Sequence, residues 1–246
     1  MNDTAETLLA RAGVCRALAD GFFYPDAGLA HRVLERLEHA RIFARAHTDL
    51  EFPELRLLRQ AWSALPDEAL PPTYSRLFIG QDAVVLHETA YGDGGRVAGK
   101  PAELADISGF YLAFGFGLKD GERELPDHLG TELEFLSLLL IKQAYALEQG
   151  WFDKYEIARD AAQSFLRDHL GRWVGAVRDS VAARGDEPGY RALFDAVAAV
   201  IARECAAFGA VPTPLTRATS DFMQAGEFVC PQAQAAADGA CNPGSV

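Results

Sequence analysis

The sequence predicts an all-α protein: a single globular domain of about nine or ten helices. Three observations carry that prediction. Apolar residues recur every three to four positions through most of the chain. Valine and isoleucine are sparse and never alternate over the length of a strand. Proline and glycine clusters punctuate the periodic stretches at Pro66, Pro71 and Pro72 and again between Gly92 and Gly99.

Taken in order, Leu8, Leu9, Ala12, Cys15, Leu18, Ala19 and Phe22 form one face of a first helix that stops before Pro25. A second helix is expected over about 28–46, with Leu29, Val33, Leu37 and Ala40 in phase, and a third over about 53–65, carrying Leu55, Leu58 and Trp62. Prolines 66, 71 and 72 should break the chain, leaving a short helix at 74–78 closed by Gly80. Residues 81–99 read as a loop, followed by a helix at about 102–114 around Leu104, Ile107, Phe110 and Tyr111. A polar connection at 115–127 has the character of a hinge. Further helices are expected at about 128–149, 152–169, 173–183 and 190–208. The helical domain then covers 1–224, and the Ala-, Gln- and Gly-rich stretch 225–246 reads as a flexible tail.

Composition narrows the function. The chain has 246 residues, half of them hydrophobic (49%), enough for a sizeable core. With 23 basic and 35 acidic side chains the formal charge is −12, a surface that repels phosphate backbones, so no nucleic-acid partner is expected. The first ten residues carry Asp3 and Glu6 and no base, unlike the start of a signal peptide. The best apolar run, Phe135 to Ile141, ends at Lys142, far short of the roughly 20 residues that span a bilayer. A soluble, cytoplasmic protein without direct membrane insertion is the expectation.

Enzymatic and metal chemistry find little support. Cys15, Cys205, Cys230 and Cys241 form no C-x-x-C pair. His128 and Glu132 share a helix face, but no histidine has the glutamate three residues earlier that helix-bundle di-iron sites use, and there is no H-E-x-x-H. No metal and no cofactor are therefore expected. Gly94 to Lys100 fits G-x-x-x-x-G-K, the alternative reading being a GTP or ATP hydrolase. However, Pro101 stands where such a loop needs Ser or Thr, and no strand precedes it. His87 and Glu88 lack a G-x-S-x-G serine, which leaves Glu88 and Tyr91 to anchor the loop by hydrogen bonds.

The most informative stretch is the turn that opens the 128–149 helix. Six acids (Asp120, Glu122, Glu124, Asp127, Glu132, Glu134) and two bases (Lys119, Arg123) lie between 118 and 135. Pro126 and Asp127 suit a helix start. An acidic lip beside an apolar helix suits a ligand basic at one end and greasy at the other, with His128 tuning the lip near neutral pH.

Several segments, in order, resemble the TorD/DmsD-like family of chaperones for molybdenum oxidoreductases, the redox-enzyme maturation proteins. They are Tyr74-x-x-Leu77-Phe78-x-Gly80, Glu88-x-x-Tyr91, Phe110-Tyr111-x-Ala113-Phe114-Gly115, Pro126-Asp127-His128-Leu129 with Glu132-Leu133-x-Phe135-Leu136, and Ala161-x-x-x-Phe165-Leu166-x-x-His169-Leu170-x-x-Trp173. The resemblance implies a non-enzymatic, all-helical chaperone. Its partner would be the apo catalytic subunit of a molybdopterin oxidoreductase, bound through its twin-arginine leader or core and held until cofactor insertion. It also implies a peptide site at Tyr74, Leu77, Phe78, Glu88, Tyr91, Glu124, Asp127 and His128. A monomer is expected, with 115–127 as the hinge a domain-swapped homodimer would use. A helical accessory subunit retained in the mature enzyme is a further alternative.

Overall fold

The computed structural model describes residues 3–80, 82–92, 100–117, 125–185 and 187–216. Among these residues there are nine α-helices and no strand: α1 (Ala5–Asp20), α2 (Leu29–His47), α3 (Leu55–Ser63), α4 (Leu70–Phe78), α5 (Lys100–Ala113), α6 (Leu129–Glu148), α7 (Phe152–Asp168), α8 (Leu170–Ala182) and α9 (Pro188–Phe208). The tail at 225–246, Glu124, most of the 115–127 connection and Gly94–Gly99 lie outside the described residues.

Helix α6 is the axis of the bundle, and its composition explains why. Leu129, Leu133, Phe135, Leu136, Leu139 and Leu140 point in different directions around it and are all fully buried. A helix apolar on every side must be covered on every side. α1 runs along α6 and also meets α2, α7 packs on α6, and α8 pairs with α9, which carries α3. Gly130 makes the α1 contact close: a β-carbon there would stand 2.8 Å from the Phe23 ring and 3.1 Å from the Ala19 carbonyl oxygen.

Two aromatic clusters fill the core. Phe135 of α6 meets Tyr111 of α5 and Phe165 of α7 at ring separations of 4.7 and 4.9 Å. Tyr74 and Phe78 of α4 meet Tyr190 of α9 at 6.1 and 5.2 Å. One buried ion pair joins the first helix to the last. Arg11 donates through Nε and Nη2 to the Glu204 carboxylate (3.0 and 2.7 Å), and through Nη1 to Asp3 (3.0 Å).

Three boundaries differ from expectation, for local reasons. Pro71 and Pro72 do not break the chain; they sit in the first turn of α4, where the missing N–H would have no partner in any case. Pro101 likewise sits in the first turn of α5, and Lys100 is its exposed first residue. α8 starts at Leu170 rather than near 173, directly after α7, with His169 alone between them in a non-helical conformation. Gly171 permits this corner, because a β-carbon there would lie 2.3 Å from the Leu166 carbonyl oxygen.

Candidate functional site

The segment 84–92 has no helical periodicity, yet it is held at each step. Val84 N–H donates to the Leu77 carbonyl at the end of α4 (2.8 Å). Leu129 N–H donates to Leu86 O, and Glu88 N–H to Asp127 O, both at 2.9 Å. The last two bonds flank an isolated antiparallel bridge between His87 and His128. One turn of 3-10 helix follows at Glu88–Ala90. The Tyr91 hydroxyl closes the loop by donating to Val85 O (2.9 Å).

Side chains lock this crossing. One Asp127 carboxylate oxygen accepts from Thr89 Oγ1 (2.7 Å) and Thr89 N–H (3.2 Å), and the other lies 3.1 Å from His87 Nδ1. Burial alone would raise the Asp127 carboxyl; the His87 and Thr89 hydrogen bonds outweigh it and hold the group below the ordinary carboxylate range. His128 caps α6, its Nδ1 accepting from Gly130 N–H (3.2 Å). Burial, reinforced by His87, depresses its pKa to about 3. His128 is therefore neutral near pH 7, which corrects the expectation that its charge tunes the site there.

A second layer lies behind the first. The Glu88 carboxylate faces His169 Nδ1 at 3.1 Å, joining the loop to the α7–α8 corner. Trp173 Nε1 donates to Glu132 Oε2 (3.1 Å). Glu88 and Glu132 are both fully buried. Burial first, then the Glu88 charge, push the Glu132 carboxyl well above its usual value. Burial works against a charged His169, but the Glu88 hydrogen bond and charge prevail and raise its pKa.

Of the residues singled out from sequence, Glu88, Asp127 and His128 are brought together here with 0–1% exposure. Tyr91 is buried with them, its ring 5.4 Å from Trp173. Tyr74 is buried, donating its hydroxyl to Phe22 O (3.0 Å); Leu77 is buried and Phe78 half-buried beside it. Tyr74 and Phe78 thus pack on Tyr190 of α9, while Leu77 meets the crossing segment through its carbonyl. The accessible groups lie around them: the Phe23 ring 5.3 Å from His128, the half-exposed Tyr24 ring 5.5 Å from Tyr74, the His87 imidazole, and exposed Val85 and Leu125. Sequence reading missed Phe23, Tyr24, Thr89 and the roles of His169 and Trp173. Their partners are distant in the chain, and no local pattern marks them.

Among the described residues, no group of three or more His, Cys, Asp or Glu side chains is arranged to hold a metal ion. No described helix is long and apolar enough to cross a membrane.

A family model described as the nitrate reductase delta subunit matches residues 46–179, which span the crossing, α6 and the α7–α8 corner. The chain belongs to that family. It is also similar to the selenate reductase assembly chaperone protein of Thauera selenatis, 33% identical over 181 residues that cover 72% of this chain and 80% of the relative. The chlorate reductase assembly chaperone protein of Ideonella dechloratans is 32% identical over 186 residues, 74% and 82% of the two chains. The chaperone protein TorD of Photobacterium profundum is 30% identical over 95 residues, 39% and 42% of the two. The relatives of this chain thus include proteins named as TorD and as reductase assembly chaperones, in line with the resemblance drawn from the ordered motifs.

Proposed function

We propose that this protein is a cytoplasmic, non-catalytic assembly chaperone for a molybdopterin oxidoreductase. It binds the apo catalytic subunit, through a twin-arginine leader or the unfinished core, holds it until the cofactor is inserted, and yields it before export. The observation that carries this reading is the similarity, over most of the chain, to relatives named as assembly chaperones of selenate and chlorate reductases.

The geometry supports a binding role. Phe23, Tyr24, Val85, His87 and Leu125 form an accessible, largely apolar fringe around a buried hydrogen-bonded crossing. A rigid support under an apolar fringe suits a client segment that is itself disordered, because only the client then loses conformational freedom on binding. Asp127 and His128 act in this reading by fixing His87 and the start of α6 rather than by gripping the peptide directly. A monomer is sufficient.

The test is cellular. Deleting the gene should leave the partner reductase subunit degraded or without molybdopterin, and plasmid-borne protein should restore both cofactor content and activity. A deletion strain with normally loaded reductase would rule the reading out. Nucleotide turnover, the enzymatic alternative, should be absent from the purified chain and unaffected by Lys100→Ala.

A further inference from the structure

Helix α9 is capped by Gly209, whose left-handed conformation (φ 66°) turns the chain back over the start of α8. The arm that follows, 210–216, is fastened at three points. Ala210 N–H donates to Cys205 O (2.8 Å), Leu215 N–H donates to Arg172 O (2.7 Å), and Thr216 O accepts from Gly92 N–H (2.8 Å). Pro212 fits against Gly171, where a β-carbon would stand 3.1 Å from its Cγ.

This arm lines one end of a groove of about 930 Å³ that follows the seam of α8 and α9. Val174 of α8 with Ile201 and Cys205 of α9 give the groove an apolar floor, and Arg178 stands on its rim beside exposed Asp179. Beside Gly171 and Cys205 the arm covers it. From there it continues along α8 to Ser180 and along α9 to Ala198. Between Gly171 and Ser180 the helix rises roughly 14 Å. The described residues stop at Thr216, which itself lines the groove. In the sequence that continues from there, Phe222 and Met223 are the first large apolar side chains, and Asp221 directly precedes them. An extended chain from 216 to 222 reaches about 20 Å, enough to bring both to any point of the groove.

We infer that the α8–α9 groove is the docking site of the chain's own residues 217–224: Phe222 and Met223 lie on Val174 and Ile201, and Asp221 faces Arg178. The occupant is the chain's own because the arm delivers it there. Docking is then intramolecular, at an effective concentration in the millimolar range, which a second copy or a free partner has to outcompete. This contact is separate from the fringe at Phe23 and Tyr24 and does not rest on the chaperone reading.

Met223 is the reporter, since Met1 is the other methionine of the sequence. Peroxide oxidation of the full chain, read by mass spectrometry, should modify Met223 about tenfold more slowly than in urea, at a rate independent of chain concentration. Ala202→Arg and Ala206→Arg, at exposed positions lining the groove, each fill it and should bring Met223 to the unfolded rate with helical content unchanged. Truncation after Thr216 should lower the melting temperature by about 5 °C, and Ala202→Arg should add nothing in that background. Oxidation of Met223 in the wild-type chain at the unfolded rate overturns the docking site. So does protection that survives both arginine variants, or a truncated chain that melts like the full one. Protection that rises with chain concentration assigns the groove to a second copy and overturns it as well.

Discussion

His87 and Asp127, 40 residues apart in the chain, meet at 3.1 Å between Nδ1 and Oδ1 across the backbone bridge that pairs His87 with His128. This contact turns an aperiodic loop into a fixed element against α6. It also means that the Asp127 carboxylate makes its bonds inside the protein, where its side chain is fully buried and out of reach of a ligand arriving from solvent.

Removing that carboxylate should cost stability before it costs binding. Asp127→Ala leaves Thr89 with two unsatisfied donors and frees His87, so unfolding free energy should drop by about 2–3 kcal/mol, the range for hydrogen bonds to a buried charged group. Urea denaturation measures it. Asp127→Asn keeps one acceptor and should lose less.

His128 makes the fold sensitive to mild acid. Its pKa is about 3 in the folded chain and about 6.5 in the unfolded chain. The unfolded state therefore binds the extra proton first, and stability should fall as pH drops below about 6.5, by up to about 1.4 kcal/mol per pH unit from this residue. His128→Asn keeps a capping side chain but does not titrate. Its denaturation midpoint should be flatter than wild type between pH 6.5 and 4, roughly the range over which the unfolded imidazole is charged and the folded one is not.

Glu132 should work in the opposite direction. Its folded pKa is raised, so the folded state keeps a proton that the unfolded state gives up, and stability falls as pH rises above the ordinary glutamate value. Glu132→Gln, which retains an acceptor for Trp173 Nε1, should remove that loss, with a stability gain that grows toward neutral pH in parallel melts.

The α1–α9 ion pair offers a double-mutant test. Glu204→Ala leaves the buried Arg11, whose side chain is 3% exposed, with only the Asp3 carboxylate of its two partners, and should cost about 3 kcal/mol. Arg11→Met combined with Glu204→Leu should recover part of it, because the buried guanidinium is gone and Asp3, 15% exposed, keeps the Tyr155 hydroxyl as a partner.

Much of the helix order was legible in the sequence because burial there follows a periodic pattern. The six fully buried leucine and phenylalanine side chains of α6 announce a central helix. The crossing was legible only as a set of residue types. Acids cluster around Asp127, which suggests an exposed acidic lip, but burial is decided by Thr89 and His87, whose partnership no local spacing reveals. The Glu88–His169 contact spans 81 residues and is equally invisible locally. The prolines of α4 misled for a simpler reason: 71 and 72 fall in a first turn, the one helical position that tolerates them.

The most direct test of the chaperone account is capture of the reductase subunit from cells unable to make molybdopterin. The affinity-tagged chain should retain the apo subunit, and the complex should dissociate once cofactor synthesis is restored. Recovery of the chain only with cofactor-loaded enzyme would instead mark it as a retained accessory subunit and contradict the account.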